Sequence, residues 1–172
     1  MEQRIVHWYA ARVKYRTEKK IKNFLEEKEI GHFIPFRTIF REQKGKRVQK
    51  EKPVISCVIF VKTDYMTALS IPDKLGLSVS YIYNNDTKKF QVIPEKQMQD
   101  FMFLLDFTES SVIKISNTNL KRGDRVRVIK GDFAGIEGEL VRTRGHKRVV
   151  VRLEGLFSLA TTYIPNEYLE KI

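Results

Sequence analysis

Apolar runs separated by charged segments predict a mixture of strands and helices in the first half of the chain. Residues 8–13 (WYAARV) contain aromatic and β-branched side chains and predict a strand. Residues 33–40 (FIPFRTIF) predict a second strand. Residues 54–62 (VISCVIFVK) are apolar on both faces, as expected of a central strand. A hairpin is predicted over residues 81–93, around an Asn-Asn-Asp turn.

A helix is predicted between the first two strands, over residues 17–29. Its apolar residues Ile21, Phe24 and Leu25 recur at the spacing of one buried helical stripe. Gly31 follows at a position where helices commonly end in the left-handed conformation. We therefore expect this helix to bury one face and to end at Gly31.

A further helix is predicted after Pro94, because proline suits the first helical turn, where its missing N–H would have no partner. Four apolar residues share one face of this helix: Met98, Phe101, Met102 and Leu105. The first half of the chain is therefore expected to form a mixed sheet with two or three helices.

A polar stretch at residues 108–119 has the composition of a connector and predicts a domain boundary. It separates a first domain over residues 1–107 from a second over residues 120–172. In the second domain, Val126 and Val128 alternate with arginines, and glycines interrupt short apolar runs. Short strands with frequent glycine turns predict a small barrel that depends on sheet closure for its stability.

The net charge narrows the class of partner. The chain has 172 residues, with 32 Lys and Arg against 21 Asp and Glu, so its formal net charge is +11. A charge of this size favours a polyanionic partner. Hydrophobic residues make up 42% of the chain, which is enough for a packed core and argues against intrinsic disorder.

A few residue types limit the cellular compartment that is expected for the chain and the kinds of site that it can contain. Cys57 is the single cysteine, so an internal disulfide is excluded. The amino terminus lacks the apolar core of a signal peptide, and no apolar run approaches the ~20 residues of a membrane span. We therefore expect a cytoplasmic protein with no membrane partner. Because the three histidines are scattered, and no zinc, phosphate-loop or nucleophile motif occurs, we expect no metal, cofactor or catalytic residue.

Two segments resemble a known family. Residues 123–140 (GDRVRVIKGDFAGIEGEL) place glycines where the backbone reverses, with apolar side chains between them, and this pattern resembles the KOW motif. Residues 8–36 (WYAARVKYRTEKKIKNFLEEKEIGHFIPF) resemble the opening of the NusG amino-terminal domain. The resemblance to the NusG family extends over nearly the whole chain. It implies an α+β fold, in which an NGN α/β sandwich with a mixed sheet precedes an SH3-like KOW barrel.

One segment departs from the family pattern. Members commonly carry a Phe-Pro-Gly-Tyr type sequence at the start of the central strand, whereas residues 55–58 here are Ile-Ser-Cys-Val. The departure removes the aromatic side chains of this segment. It favours a specialised paralogue, of the kind that includes RfaH and the antiterminators of capsular polysaccharide operons.

The resemblance implies a transcription elongation regulator that is not an enzyme. In the family, the amino-terminal domain docks on the clamp helices of the largest RNA polymerase subunit and suppresses pausing and termination. The residues carried over to this docking face are Tyr9 and Ile55, with Phe36 and Phe60 as further candidates. Their alternative role is core packing, which is the commoner role of apolar residues in strands.

Basic residues provide candidate contacts to nucleic acid. Residues 41–52 (REQKGKRVQKEK) carry six basic and two acidic residues and predict a solvated hairpin tip or loop around Gly45. More basic residues surround the predicted start of the first helix. Together they are expected to approach the exposed non-template DNA of the transcription bubble through phosphate contacts, although an ordinary solvated surface is the alternative. The candidates are Arg12, Lys14, Arg16, Lys19, Lys20, Lys44, Lys46 and Arg47.

The second domain resembles a recruitment module. In the family, its partner is a ribosomal protein, a termination factor or other machinery. Phe133, Ile136 and Phe157 are the candidate contact residues, and the alternative is that each fills the interior of the small barrel. KOW barrels also occur in ribosomal proteins, so a second function stays open: a ribosome- or RNA-binding KOW protein that acts through its basic surface.

Overall fold

The structure of the chain is a computed structural model that describes residues 4–107, 112–115, 123–143, 145–156 and 158–172. The chain divides into two compact units, Met1–Ile93 and Pro94–Ile172. None of the described helices is both long enough and apolar enough to cross a membrane.

The first unit combines two helices with a sheet and two separate hairpins in its described residues. Its sheet has the strand order β2-β5-β1-β6, and β9 also pairs with β1. The pairs β3–β4 and β7–β8 form hairpins outside this sheet. The elements in chain order are β1 (His7–Val13), α1 (Glu18–Glu27), β2 (Gly31–Phe33), β3 (Phe36–Gln43), β4 (Lys46–Pro53), β5 (Val58–Thr63), α2 (Tyr65–Leu75), β6 (Val79–Tyr81), β7 (Tyr83–Asn84), β8 (Lys89–Phe90) and β9 (Val92–Ile93).

The core of the first unit lies between one face of this sheet and the two helices. Strands β1 and β5 are antiparallel neighbours, and alternate side chains of each point to this face. The cluster is formed by Ala11, Val13, Ile59, Val61 and Val79 of the sheet, Ile21 and Leu25 of α1, Ile34, and Ile71 of α2. The predicted strand at residues 8–13 and the predicted helix at residues 17–29 are therefore confirmed.

The end of α1 differs from the prediction. Glu29, rather than Gly31, takes the left-handed conformation, with φ of 54°. Gly31 instead begins β2, where a Cβ atom would lie 3.0 Å from the carbonyl oxygen of Lys62 on β5. The glycine is needed there because the two strands approach closely, and not because the helix ends there.

Helix α2 was not predicted from the sequence. Its apolar residues form no single stripe, since Ala68 and Ile71 are buried while Met66 and Leu69 are exposed. The sequence feature that indicates this helix lies at its start, where Asp64 accepts a hydrogen bond from the backbone N–H of Thr67 at 3.1 Å. An aspartate in this position is a common helix N-cap.

In the described residues of the second unit, one helix packs against a six-stranded antiparallel sheet. Its strands follow the order β10-β14-β13-β12-β11-β15, and every described pairing is antiparallel. The elements are α3 (Glu95–Leu105), β10 (Val112–Ile115), β11 (Arg125–Val128), β12 (Glu137–Thr143), β13 (His146–Arg152), β14 (Ser158–Thr161), a 3-10 turn (Asn166–Tyr168) and β15 (Leu169–Lys171).

Close strand approach explains one of the glycines of the second unit. Gly138 lies on β12, where a Cβ atom would come within 2.4 Å of the carbonyl oxygen of Val150 on β13. The predicted inward positions Val126 and Val128 are 4% and 0% exposed. The alternation of apolar and basic residues therefore predicted correctly which side chains of β11 are buried.

The divide between the two units differs from the predicted one. Helix α3 belongs to the second unit, although the sequence pattern assigned it to the first domain. The carboxylate of Asp100 accepts a hydrogen bond from the backbone N–H of Glu137 at 3.0 Å and binds the ammonium of Lys96. Strand β10, which pairs with β14, lies inside the stretch predicted to be a connector. The predicted limits of the two domains stay a prediction.

Removal of the α2 cap should show a defined pH dependence. Hydrogen bonds from the Thr67 hydroxyl and backbone lower the pKa of the Asp64 carboxyl from its usual 3.8. A lowered pKa in the folded state stabilises the fold above about pH 4, and this contribution is lost as the pH falls through the folded value. Asp64→Ala should therefore cost about 1 kcal/mol of unfolding free energy at pH 7, and the deficit should shrink below pH 4. Urea unfolding at pH 7 and at pH 3 measures this deficit in unfolding free energy.

Asp64→Asn is the matched control, because an amide caps a helix without titrating in this range. A deficit of equal size at pH 7 and pH 3 in Asp64→Ala would contradict a charged cap.

Candidate nucleic-acid interface

The basic segment of the first unit is a regular hairpin. Strands β3 and β4 pair from Phe36↔Pro53 to Gln43↔Lys46, which leaves a two-residue turn. Lys44 and Gly45 form this turn, with φ of 52° and 71°. Positive φ at both turn residues is typical of the tight hairpin turn that matches strand twist. The prediction of a hairpin tip around Gly45 is confirmed, but residues 46–53 form a strand and not a loop.

The register of the hairpin sorts its charges onto two faces. Cross-strand partners point to the same face, and successive residues of a strand point to opposite faces. We call one side the cationic face: its basic residues are Arg37, Arg41, Lys46, Lys50 and Lys52, accompanied by Ile39, Gln43 and Val48. The opposite face holds Phe36, Thr38, Phe40, Glu42, Arg47, Gln49, Glu51 and Pro53. The cationic face therefore has no acidic residue, whereas the opposite face has two acids and one cation.

The opposite face is held by side-chain contacts. The Arg47 guanidinium lies 4.4 Å from the centre of the Phe40 ring, and the Lys22 ammonium of α1 lies 5.4 Å from that of Phe36. Lys19 of α1 donates a hydrogen bond to the Glu51 carboxylate. This hydrogen bond, with the charge of Lys19, lowers the pKa of the Glu51 carboxyl. The base of the hairpin is thereby tied to α1 through the face that is not cationic.

A groove of about 340 Å³ lies beside the hairpin. One wall is the segment from the end of β1 into α1, with Tyr15, Arg16 and Lys19. The other wall includes three basic residues of the cationic face: Arg41, Lys50 and Lys52. The acids that line the groove are Glu18 and Glu51, and both carboxylates already accept hydrogen bonds. The groove is therefore electropositive.

The buried carboxylate of Glu18, which lines the groove, fixes the backbone of a neighbouring turn. Glu18 is 1% exposed and accepts a hydrogen bond from the backbone N–H of Cys57 at 2.7 Å. Cys57 has φ of 62°, a left-handed conformation that is costly for a residue with a side chain. The carbonyl of Cys57 accepts from the backbone N–H of Val13 at 3.0 Å. Residues 55–58 therefore form a turn that α1 and β1 both fix.

The structure distributes the predicted nucleic-acid contacts over several places. All eight side chains are exposed. Arg16 and Lys19 line the groove, whereas Arg12, Lys14 and Lys20 do not. Lys46 belongs to the cationic face, Lys44 to the turn and Arg47 to the opposite face.

The candidate nucleic-acid contacts did not include four side chains that line the groove: Tyr15 and the basic residues Arg41, Lys50 and Lys52. Three of them lie in residues 41–52, where charge was counted without regard to strand alternation. The two-residue period was the signal that would have found them. Within the described residues, no group of three or more His, Cys, Asp or Glu is placed to hold a metal ion.

The comparison with known families decides the family of the chain. Residues 6–102 match the model of the family described as NusG, Transcription termination factor nusG. This chain belongs to the NusG family. The family expected from the sequence is thereby confirmed, and NusG-family members are transcription factors that act in elongation and not enzymes.

Two solved structures from the NusG and Spt5 families are similar to this chain. A structure described as "Domain interaction in Thermotoga maritima NusG" is 18% identical over 98% of both chains, with a TM-score of 0.43. A structure described as "Crystal Structure of MjSpt4:Spt5 complex conformation B" is 14% identical over 96% of both chains, with a TM-score of 0.27. No curated protein matches the chain.

Three of the four residues carried over from the NusG family to a docking face have buried side chains. Tyr9, Ile55 and Phe60 are 2%, 3% and 0% exposed. Strand alternation gives the reason for Tyr9 and Phe60: Tyr9 pairs with Val61 on the sheet face that carries the helices, whereas Phe60 pairs with Ala10 on the opposite face. These two residues cannot share one surface. The observed burial is the alternative role, core packing, and the prediction that these residues contact RNA polymerase stays a prediction. Phe36 is half-buried.

Tyr9 has a structural role instead. Its ring makes edge contacts with Tyr81 and Phe90, at centroid distances of 6.4 and 6.0 Å. Burial raises the pKa of the Tyr9 phenol, and the Asp64 carboxylate adds to the effect. Tyr9 therefore joins an aromatic cluster between β1, β6 and β8.

The candidate contact residues of the second unit are also interior where they are described. Phe133 and Ile136 are 6% and 2% exposed, and the Phe133 ring lies 4.7 Å from that of Phe107. Their alternative role, filling the small sheet domain, is therefore the one observed. Phe157 lies outside the described residues.

The turn at Cys57 yields a stability test. Cys57→Val should lower the unfolding free energy by about 1–2 kcal/mol relative to Cys57→Ala, because β-branched residues are strongly disfavoured at positive φ. Cys57→Gly should be at least as stable as Cys57→Ala, because glycine adopts this conformation without steric cost. Urea unfolding at pH 7 measures the series. Equal stability of the valine and alanine variants would contradict the left-handed turn.

Proposed function

We propose that this NusG-family chain binds RNA polymerase during elongation and suppresses pausing and termination. The family match over residues 6–102 carries the proposal, because it includes the whole sheet of the first unit. The Ile-Ser-Cys-Val sequence at residues 55–58 supports a specialised antiterminator, of the kind that serves a polysaccharide operon.

The proposed mechanism needs only a preference for one state of the polymerase clamp. A factor that binds the closed clamp better than the open one shifts the equilibrium by its difference in affinity. A difference of ~1.4 kcal/mol shifts it tenfold. Docking on the clamp helices of the largest subunit would supply this preference. A more persistent closed clamp lowers the frequency of pausing.

Phe36 is the docking candidate with an accessible side chain. It starts β3, packs partly against the core of the first unit and lines the groove. Tyr9, Ile55 and Phe60 stay proposed polymerase contacts, although their side chains are buried in the described structure.

Basic side chains around the hairpin suit the non-template DNA of the transcription bubble. The exposed residues Arg12, Lys14, Arg16, Lys19 and Lys20 on one side, and Lys44, Lys46 and Arg47 on the other, offer contacts to phosphates. These contacts depend on salt, because they release condensed counterions.

The second unit is proposed to be a KOW barrel that recruits a ribosomal protein or a termination factor. Its short antiparallel strands and buried Val126, Val128, Phe133 and Ile136 support this assignment. We propose that the recruiting domain spans residues 120–172, and that residues 108–119, whose strand β10 pairs with β14, join it to the polymerase-binding domain.

Single-round transcription with purified RNA polymerase tests the proposal. The full chain should shorten the dwell time at a strong pause site. Phe36→Ser should reduce both this effect and polymerase affinity by about tenfold, because it removes a half-buried apolar contact. Tyr163→Ser is the matched control: it removes an aromatic residue of the second unit that is 56% exposed, and it should leave polymerase affinity unchanged.

Circular dichroism of both variants separates a lost contact from a lost fold. Retention of ribosomal RNA without any polymerase binding would contradict the proposal and favour the ribosome- or RNA-binding KOW protein.

The tip of the hairpin yields a salt-dependence test. Combined charge reversal by Lys44→Glu, Lys46→Glu and Arg47→Glu should flatten the dependence of elongation-complex binding on salt, by about 0.7 in log–log slope per lost single-strand contact. Affinity measured between 50 and 300 mM salt gives the slope. An unaltered slope would mean that the tip does not contact nucleic acid.

A further inference from the structure

The cationic face and the groove beside it form one continuous feature. Arg41, Lys50 and Lys52 of the cationic face also line the groove, and Arg16 and Lys19 face them from the other wall. Residues on one face of a strand are about 7 Å apart, so the basic side chains recur at regular intervals along the hairpin. A regular row of cations with no acid on its face matches a linear polyanion rather than a single anion.

An aromatic side chain lies within this electropositive groove. Tyr15 is 63% exposed and lines the groove, and the Arg16 guanidinium lies 5.3 Å from the centre of its ring. An exposed aromatic ring beside a cationic track is the arrangement on which unpaired bases stack. The groove volume of about 340 Å³ lies within the ~300–1,000 Å³ range of ligand pockets.

We propose that the cationic face and this groove bind a single strand of DNA, with phosphates along Arg41, Lys50 and Lys52 and one base stacked on Tyr15. A duplex fits less well, because its bases would have to leave the stack to reach the groove. The choice of DNA rests on the proposed function, which brings the first unit close to the non-template strand. The site extends that function, because it names the face of the hairpin that binds and the residue that receives a base.

Direct binding of an oligonucleotide tests the site without polymerase. The probe is a fluorescent 12-nucleotide single strand of mixed DNA sequence, titrated with the full chain between 50 and 200 mM salt. Lys50→Gln should lower affinity several-fold and reduce the log–log salt slope by about 0.7, because one phosphate contact is lost. Lys74→Gln is the matched control: it removes one exposed charge from α2, which contributes no residue to the groove, and both affinity and slope should stay unchanged.

The aromatic contact has its own pair of variants. Tyr15→Ala should lower affinity about tenfold, which corresponds to the loss of one stacked base, whereas Tyr15→Phe should retain it. The salt slope should not change in either variant, because neither removes a charge. Thermal unfolding of each variant identifies any loss that comes from a disturbed fold.

Several results would overturn the site. Equal loss in Lys50→Gln and Lys74→Gln would show a diffuse charge effect with no preferred surface. Equal binding of a blunt duplex, or equal competition by poly-glutamate, would exclude a single-strand site. A tenfold preference for RNA of the same sequence would overturn the choice of DNA.

Polymerase affinity, measured on the same variants, separates the two proposals. Lys50→Gln and Tyr15→Ala should bind RNA polymerase alone as well as the unchanged chain does. A chain that binds polymerase but not the oligonucleotide would overturn the DNA site alone. A chain that binds the oligonucleotide but not polymerase would overturn the proposed function alone.

Discussion

The alternation of side chains along paired strands is the constraint on which the rest of this structure depends. In the first unit it directs Ala11, Val13, Ile59 and Val61 to the face that α1 and α2 cover. In the β3–β4 hairpin the same two-residue period separates a face of five cations from a face that binds α1 through Lys19 and Glu51. One geometric rule thus produces both the core and the cationic face.

Much of the fold follows from local pattern, because its strands and two of its helices carry clear periodicity. The stripe of Ile21 and Leu25 and the alternation of Val126 and Val128 each predict the burial that is observed. Helix α2 escaped prediction because its residues show no single apolar stripe, so its position depends on the Asp64 cap and on packing of Ile71. The placement of α3 with the second unit depends on Asp100 and Glu137, which are distant in sequence, and a local pattern does not reveal such a contact.

The candidate site was predictable in its charge but not in its geometry. Counting basic residues identified the segment that carries the cations, yet it could not distinguish Lys50, which lines the groove, from Arg47, which lies on the opposite face of the hairpin. The burial of the docking candidates was not predictable for a related reason. Aromatic and aliphatic side chains in a motif look alike whether they lie on the surface or inside, and the pairing of β1 with β5 puts Tyr9 and Phe60 on opposite sides of one sheet. Family resemblance identified the protein's class, while burial had to come from the structure.

The separation of the hairpin from the main sheet bears on how such a protein changes during evolution. Neither β3 nor β4 is paired with a strand of the main sheet in the described residues, so the length of this arm is free to vary without disturbing the core. Inserting a single residue within one strand would exchange its two sides and present acids such as Glu42 where the basic row now lies. Lengthening within the strands that keeps the five cations on one face must therefore proceed by an even number of residues in each strand.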